Sequence, residues 1–139
     1  MVTVVYDHEF PYPHDMDGAR YPRLTLRGSN PGDPAQAIDF EAYLDSGAQR
    51  SLLNGWIASS IGIDPLGGPP LSYEPTAGNA LTATLHTIRL EHSELGTFEL
   101  EVGFSSAPIR RNLLGRDFFN LVQIGFREHQ LTLYVTTAP

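Results

Sequence analysis

The sequence contains no cysteine and no lysine. Without cysteine there is no disulfide framework, no thiolate nucleophile and no Cys-ligated zinc or iron–sulfur site. All nine basic residues are Arg, set against sixteen Asp and Glu for a net charge of −7, so no basic stripe exists to neutralise phosphates. Nucleic acid is therefore not an expected partner. No apolar run approaches the roughly 18 residues of a membrane span, and Met1 to Phe10 carries Asp7 and Glu9 with neither a basic n-region nor an apolar h-region. The expectation is a soluble, unprocessed, cytoplasmic protein with no membrane partner. A G-x-S-x-G elbow for a serine hydrolase is missing, and Gly67-Gly68-Pro69-Pro70 lacks the Lys and the following helix of a phosphate loop, so it reads as a turn.

At 139 residues the chain has the size of one domain. Its thirteen Gly and eleven Pro stay below the quarter of residues that suggests disorder, and they punctuate many short elements. The dominant pattern is period two. Leu24 and Leu26 alternate with Arg23, Thr25 and Arg27; Ile38, Phe40, Ala42 and Leu44 alternate with Asp39, Glu41 and Tyr43. Phe98 to Phe104 and Leu131 to Val135 repeat it, and each segment reads as a strand with one face on a core. Gly28 to Pro34 reads as the loop of a long hairpin. A second hairpin is expected from Leu71 to Glu74, a tip at Pro75 to Asn79, and a return over Ala80 to Leu90. Two segments read as helical: Gly55 to Ser60, capped by Asn54, with Trp56, Ile57 and Ile61 spaced for one core face, and a run from Gly115 to about Leu121 with Asp117 in its first turn. Asp7 to Gly18, rich in Asp, His, Pro and Tyr, reads as an arm or irregular loop. The acids and histidines there (Asp7, His8, Glu9, His14, Asp15, Asp17) fit no metal-site spacing, and His86, His92 and His129 stand without companion motifs.

Chemistry concentrates at Asp45-Ser46-Gly47. The triplet follows directly on the strand ending at Leu44, so a carboxylate stands where an apolar strand stops and Gly permits a sharp turn. A D-[S/T]-G triplet arises by chance in roughly one chain in fifteen of this length, and alone it fits a plain Asx turn. Its neighbours add weight: Ala48 follows, Ser51 opens the apolar piece Leu52-Leu53, and Asn112-Leu113-Leu114-Gly115-Arg116-Asp117 stands further on.

With these pieces the chain resembles the retropepsin-like aspartic proteases, the single-domain family that includes retroviral proteases and bacterial relatives. Ala42 to Ala48 is similar to the family's active-site strand and loop. Pro108-Ile109 and Leu113-Leu114-Gly115-Arg116-Asp117 resemble its second signature, and Thr76-Ala77-Gly78-Asn79 resembles a flap tip. The resemblance implies an all-β fold, a small partly closed barrel with one or two short helices, over residues 21–136, with residues 1–20 as an N-terminal arm. It also implies an aspartic endopeptidase acting on extended peptide or protein substrate, with no cofactor and no metal. Asp45, Ser46 and Gly47 would be catalytic, Ser46 tying the two loops of a dimer together. Ala48, Thr76, Ala77, Gly78, Asn79, Pro108 and Ile109 would contact substrate. Gln49-Arg50 stand where retroviral enzymes often carry acids, so substrate preference does not transfer.

Hydrolysis by carboxylates needs two of them in hydrogen-bond reach, one ionised and one protonated, sharing a proton because both cannot ionise so close together. One chain of this length carries one such loop, so the second Asp is expected from another copy in a twofold homodimer. Two other readings stay open at this point. A catalytically silent domain of the same fold would bind an extended peptide in the same dimeric cleft. A monomeric small-molecule-binding barrel would leave Asp45 without a carboxylate partner.

Overall fold

The computed structural model describes residues 1–15, 17–73 and 81–137. Ten strands and two short helices follow in the order β1 (His8–Pro11), β2 (Arg23–Asn30), β3 (Asp33–Leu44), β4 (Leu52–Asn54), α1 (Gly55–Ser60), β5 (Pro70–Tyr73), β6 (Leu81–His92), β7 (Gly96–Ser105), β8 (Leu113–Leu114), α2 (Arg116–Phe119), β9 (Gln123–Arg127) and β10 (Thr132–Thr136). The larger sheet runs β2-β3-β8-β4-β7-β6-β5, and an additional pairing of β2 with β6 through Gly28 and Leu90 curls six of its strands into a ring. The ring is only partly closed, because β4 and β8 contribute three and two residues. A smaller sheet, β1-β10-β9, lies beside it. Among the described residues no helix is long and apolar enough to cross a membrane.

Alternation places the core as expected. Leu24, Leu26, Phe40, Ala42, Leu44, Val102 and Phe104 are buried inside, while Thr25, Arg27, Glu41 and Glu101 face out. Two hairpins supply most of the ladder, β2–β3 and β6–β7, the latter paired without a break from Ala83↔Ser105 to His92↔Gly96. Ile57 of α1, Ile61 directly after that helix and Phe118 of α2 plug the ring, Phe118 meeting Phe98 edge-on at 5.6 Å.

Four details differ from the sequence expectations. The first hairpin turns at Pro31-Gly32 alone, and Gly28, Ser29 and Asn30 belong to β2. Gly28 is needed inside the strand because a Cβ there would lie 2.9 Å from the Phe40 ring, and Asn30 Oδ1 accepts the Gly32 N–H to shape the turn. Trp56 does not join Ile57 and Ile61 in the core: it is 51 % exposed, because the residue adjacent to a buried one lies about 100° round the helix. Strand β9 is an addition that the alternation reading did not contain.

The fourth difference concerns the stretch read as an irregular arm. His8–Pro11 pairs antiparallel with β10, and the next residue, Tyr12, is buried in the main core with its hydroxyl donated to Glu128 at 2.9 Å. Burial, reinforced by that carboxylate, pushes the Tyr12 phenol up to about 12. Truncating a buried aromatic leaves a cavity, so Tyr12→Ala should cost about 3–5 kcal/mol in urea denaturation, whereas Tyr12→Phe should stay near 1 kcal/mol. Wild-type stability for Tyr12→Ala would remove this segment from the core.

Candidate active site

Strand β3 delivers Asp45 to the end of the ring. Tyr43 and Leu44 pair in parallel with Leu113 and Leu114, and the Asp45 N–H continues that pairing by donating to the Leu114 carbonyl at 2.9 Å. The chain then turns back on itself. The Gly47 N–H donates to Asp45 Oδ1 at 2.9 Å and the Ala48 N–H to the Asp45 carbonyl at 3.2 Å, an Asx turn that aims the carboxylate. A Cβ on Gly47 would sit 3.2 Å from that same Oδ1, so Gly keeps the turn tight. Asp45 is half-buried, Ser46 and Gly47 are exposed, and Ala48 is buried with its carbonyl accepting the Arg116 N–H at 2.8 Å. Among the described residues, no cation pairs with Asp45.

What holds the loop is a contact invisible in the local sequence. Asp117 at the start of α2 accepts the Ser51 N–H on both carboxylate oxygens, at 3.0 and 2.9 Å, and the Ser51 hydroxyl on Oδ1 at 2.7 Å. The Ser51 Oγ in turn accepts the Gly115 N–H at 3.0 Å, and the Ser51 carbonyl accepts the Gly103 N–H of β7 at 3.0 Å. Asp117 thus keeps its place in the first turn, but its carboxylate bolts the far end of the Asp45 loop rather than serving only as a cap. Gly115 is required by close approach: a Cβ would lie 2.7 Å from the Ala48 carbonyl oxygen and 2.8–2.9 Å from the Arg50 backbone.

A second buried pair sets the segment before β8. Asn54 occupies the N-cap position of α1, yet its side chain makes no cap bond. Instead its Nδ2 donates to Asn112 Oδ1 at 3.0 Å and its Oδ1 accepts the Ile109 N–H at 2.8 Å, while Asn112 Nδ2 donates to the Glu41 carbonyl. Asn54, Asn112 and Ser51 are the supporting residues that the sequence did not mark; Ser51 and Asn112 were visible only as the edges of apolar runs.

The other candidate residues fall in separate places. Ile109 is tied to Asn54 as described, whereas Pro108 lines a cavity of about 250 Å³ with Trp56, Pro65, Leu66 and Ser105, and that cavity does not include Asp45. Thr76, Ala77, Gly78 and Asn79 lie outside the described residues. Chemically, the loop presents one carboxylate on a buttressed turn. Such a group can take a proton from water, but polarising a carbonyl calls for a second, protonated acid.

The profile of a family described as aspartyl protease matches residues 32–118. Among solved structures, the chain is similar to a retropepsin-like aspartic protease from Rickettsia conorii, with 18 % identity, a TM-score of 0.63, and 97 % of this chain and 96 % of that one covered. It is also similar to EIAV protease complexed with the inhibitor HBY-793, with 14 % identity, a TM-score of 0.52, and 73 % and 86 % covered. The fold is accordingly the retropepsin-like all-β fold. No curated protein matches.

The bolt makes a stability prediction. Ser51→Ala leaves the Gly115 N–H unpaired and removes one donor from Asp117, which should cost about 1–3 kcal/mol by urea denaturation. Gly115→Ala should cost more, since its Cβ meets backbone. A Ser51→Ala protein within about 0.5 kcal/mol of wild type would show that the loop is held by something else.

Proposed function

The chain belongs to the aspartyl protease family, and from that premise we propose that it is a retropepsin-like endopeptidase. Its catalytic group would be a dyad of two Asp45 carboxylates, one from each copy in a twofold homodimer. The observation that carries this reading is Asp45 itself: a carboxylate on a firmly held turn, half-exposed, with its own Gly47 N–H on Oδ1 and no cation paired with it among the described residues.

In the dimer the two carboxyls face each other and share one proton. The ionised Asp45 takes a proton from a water between them, and the protonated one donates to the scissile carbonyl oxygen. Water adds to the carbonyl carbon to give a tetrahedral diol. Protonation of the amide nitrogen then breaks the C–N bond, and the dyad returns to its starting state. The exposed Ser46 hydroxyl is assigned to the contact between the two loops, and Gly47, lacking a side chain, to the close approach of an extended substrate backbone. Ala48, Pro108 and Ile109 are assigned to the cleft wall, and Thr76, Ala77, Gly78 and Asn79 to the segment that covers the substrate.

Asp45→Asn tests the assignment, because it keeps shape and hydrogen-bonding capacity while removing the base. Cleavage of an unbiased peptide library at mildly acidic and neutral pH should fall by about 10²–10⁴-fold. The melting temperature should hold or rise, since neutral amides remove the cost of keeping a negative charge in the shared site. Cleavage at the wild-type rate by Asp45→Asn would end the protease reading.

A further inference from the structure

The chain that precedes the ring reaches the strand that delivers Asp45 through the Asp15 carboxylate and through the Tyr21 ring, which meets the Tyr43 ring at 5.9 Å. Asp15 accepts the Tyr43 hydroxyl on Oδ2 at 2.8 Å, and it stands 3.5 Å from the guanidinium of Arg23 and 3.5 Å from that of Arg111. These three partners come from β3, β2 and the segment leading into β8. The Arg111 guanidinium carbon stands over both the Tyr21 and the Tyr43 ring, 4.5 Å from each centroid. Arg23, whose side chain is only 10 % exposed, also pairs with Glu41 at 2.9 Å, so two guanidinium groups and two carboxylates balance. Burial, and then the bond to Asp15, raises the Tyr43 phenol above its ordinary value, which keeps the hydroxyl a donor at every pH of interest.

Position decides what this cluster can do. Tyr43 stands two residues before Asp45, on the last turn-free stretch of the strand that delivers it. The backbone on either side is tied as well: the Tyr43 N–H donates to the Asn112 carbonyl, next to Arg111, and the Asp45 N–H to the Leu114 carbonyl. A shift of the Tyr43–Arg111 stack would therefore move both strands that set Asp45.

We propose that Asp15 is a positioning residue for Asp45, acting through Tyr43 and Arg111, so that Asp15 forms part of the active apparatus. The proposal rests on reading Asp45 as the catalytic carboxylate.

The test compares wild type, Asp15→Asn, Asp15→Glu and Tyr43→Phe in peptide cleavage and in amide hydrogen exchange by NMR. In Asp15→Asn, kcat should fall about 10- to 100-fold, the scale of a misplaced catalytic group, with KM changed less than about twofold. Asp15→Glu should restore part of the loss. The Gly47 and Ala48 amides should exchange about tenfold faster, reporting local opening, while those of β6 and β7 keep their rates. Unchanged kcat overturns the proposal, as does a fall in kcat with unchanged exchange at Gly47 and Ala48. Faster exchange spread evenly over all strands also overturns it, since Asp15 would then act on stability alone. If Asp15→Asn does not fold, Tyr43→Phe, which removes only the hydroxyl that Asp15 accepts, decides by the same two readouts. A wild-type protein that cleaves nothing refutes the protease reading instead, and exchange at Gly47 and Ala48 then settles the positioning role by itself.

Discussion

The grip of Asp117 on Ser51 is the contact on which the rest of the site depends. One carboxylate collects a backbone N–H and a hydroxyl from a residue far away in sequence, and charge-assisted bonds of this kind are worth roughly twice neutral ones. The bond can form only because β8 slips between β3 and β4, and β8 can come that close only because Gly115 has no side chain to strike the Ala48 and Arg50 backbone. Remove any of these and the turn at Asp45 loses its far anchor. The near anchor, the Asp45 N–H on the Leu114 carbonyl, lies on the two-residue strand that leads into α2. A very short strand and the helix that follows it thus hold the two ends of the functional loop.

Among the described residues, no cation pairs with Asp45 itself. Arg23 and Arg111 are matched with Asp15 and Glu41, and Arg50 with Glu101. Acids elsewhere in the structure thus pair with these guanidinium groups. An Asp with no ion pair is unremarkable on a surface; on a turn secured at both ends it is a group held ready for a partner. In the proposed dimer that partner is its own copy, and the proton shared between them supplies acid and base at once.

Much of the ring was legible in the sequence because strands buried on one face leave a period-two trace. The trace marked β2, β3, β7 and β10 to within a few residues. Strands of two or three residues, β4 and β8, are too short to show a period, and β1 lay hidden in a stretch whose Pro, His and Asp look like loop. Breakers misled where tertiary packing overrode them: Gly28 serves the Phe40 ring inside a strand, not a loop. Asn54 misled for a related reason, since a residue well suited to capping a helix is equally suited to a buried amide pair with Asn112. Asp45 could be found because its turn is local. Ser51 could not, because its meaning lies in a partner 66 positions away, and Asp15 likewise matters through residues that only the folded chain assembles.

A mixing experiment tests the shared dyad most directly. Wild-type protein is combined with Asp45→Asn protein under conditions of subunit exchange, and cleavage is measured per wild-type chain. If each site needs two Asp45 carboxylates, random pairing at equal amounts leaves about a quarter of the dimers with both. Activity per wild-type chain should then fall to about half and keep falling as the variant is added. Activity per wild-type chain that stays constant at every ratio would show that one chain works alone, and the shared dyad would be wrong.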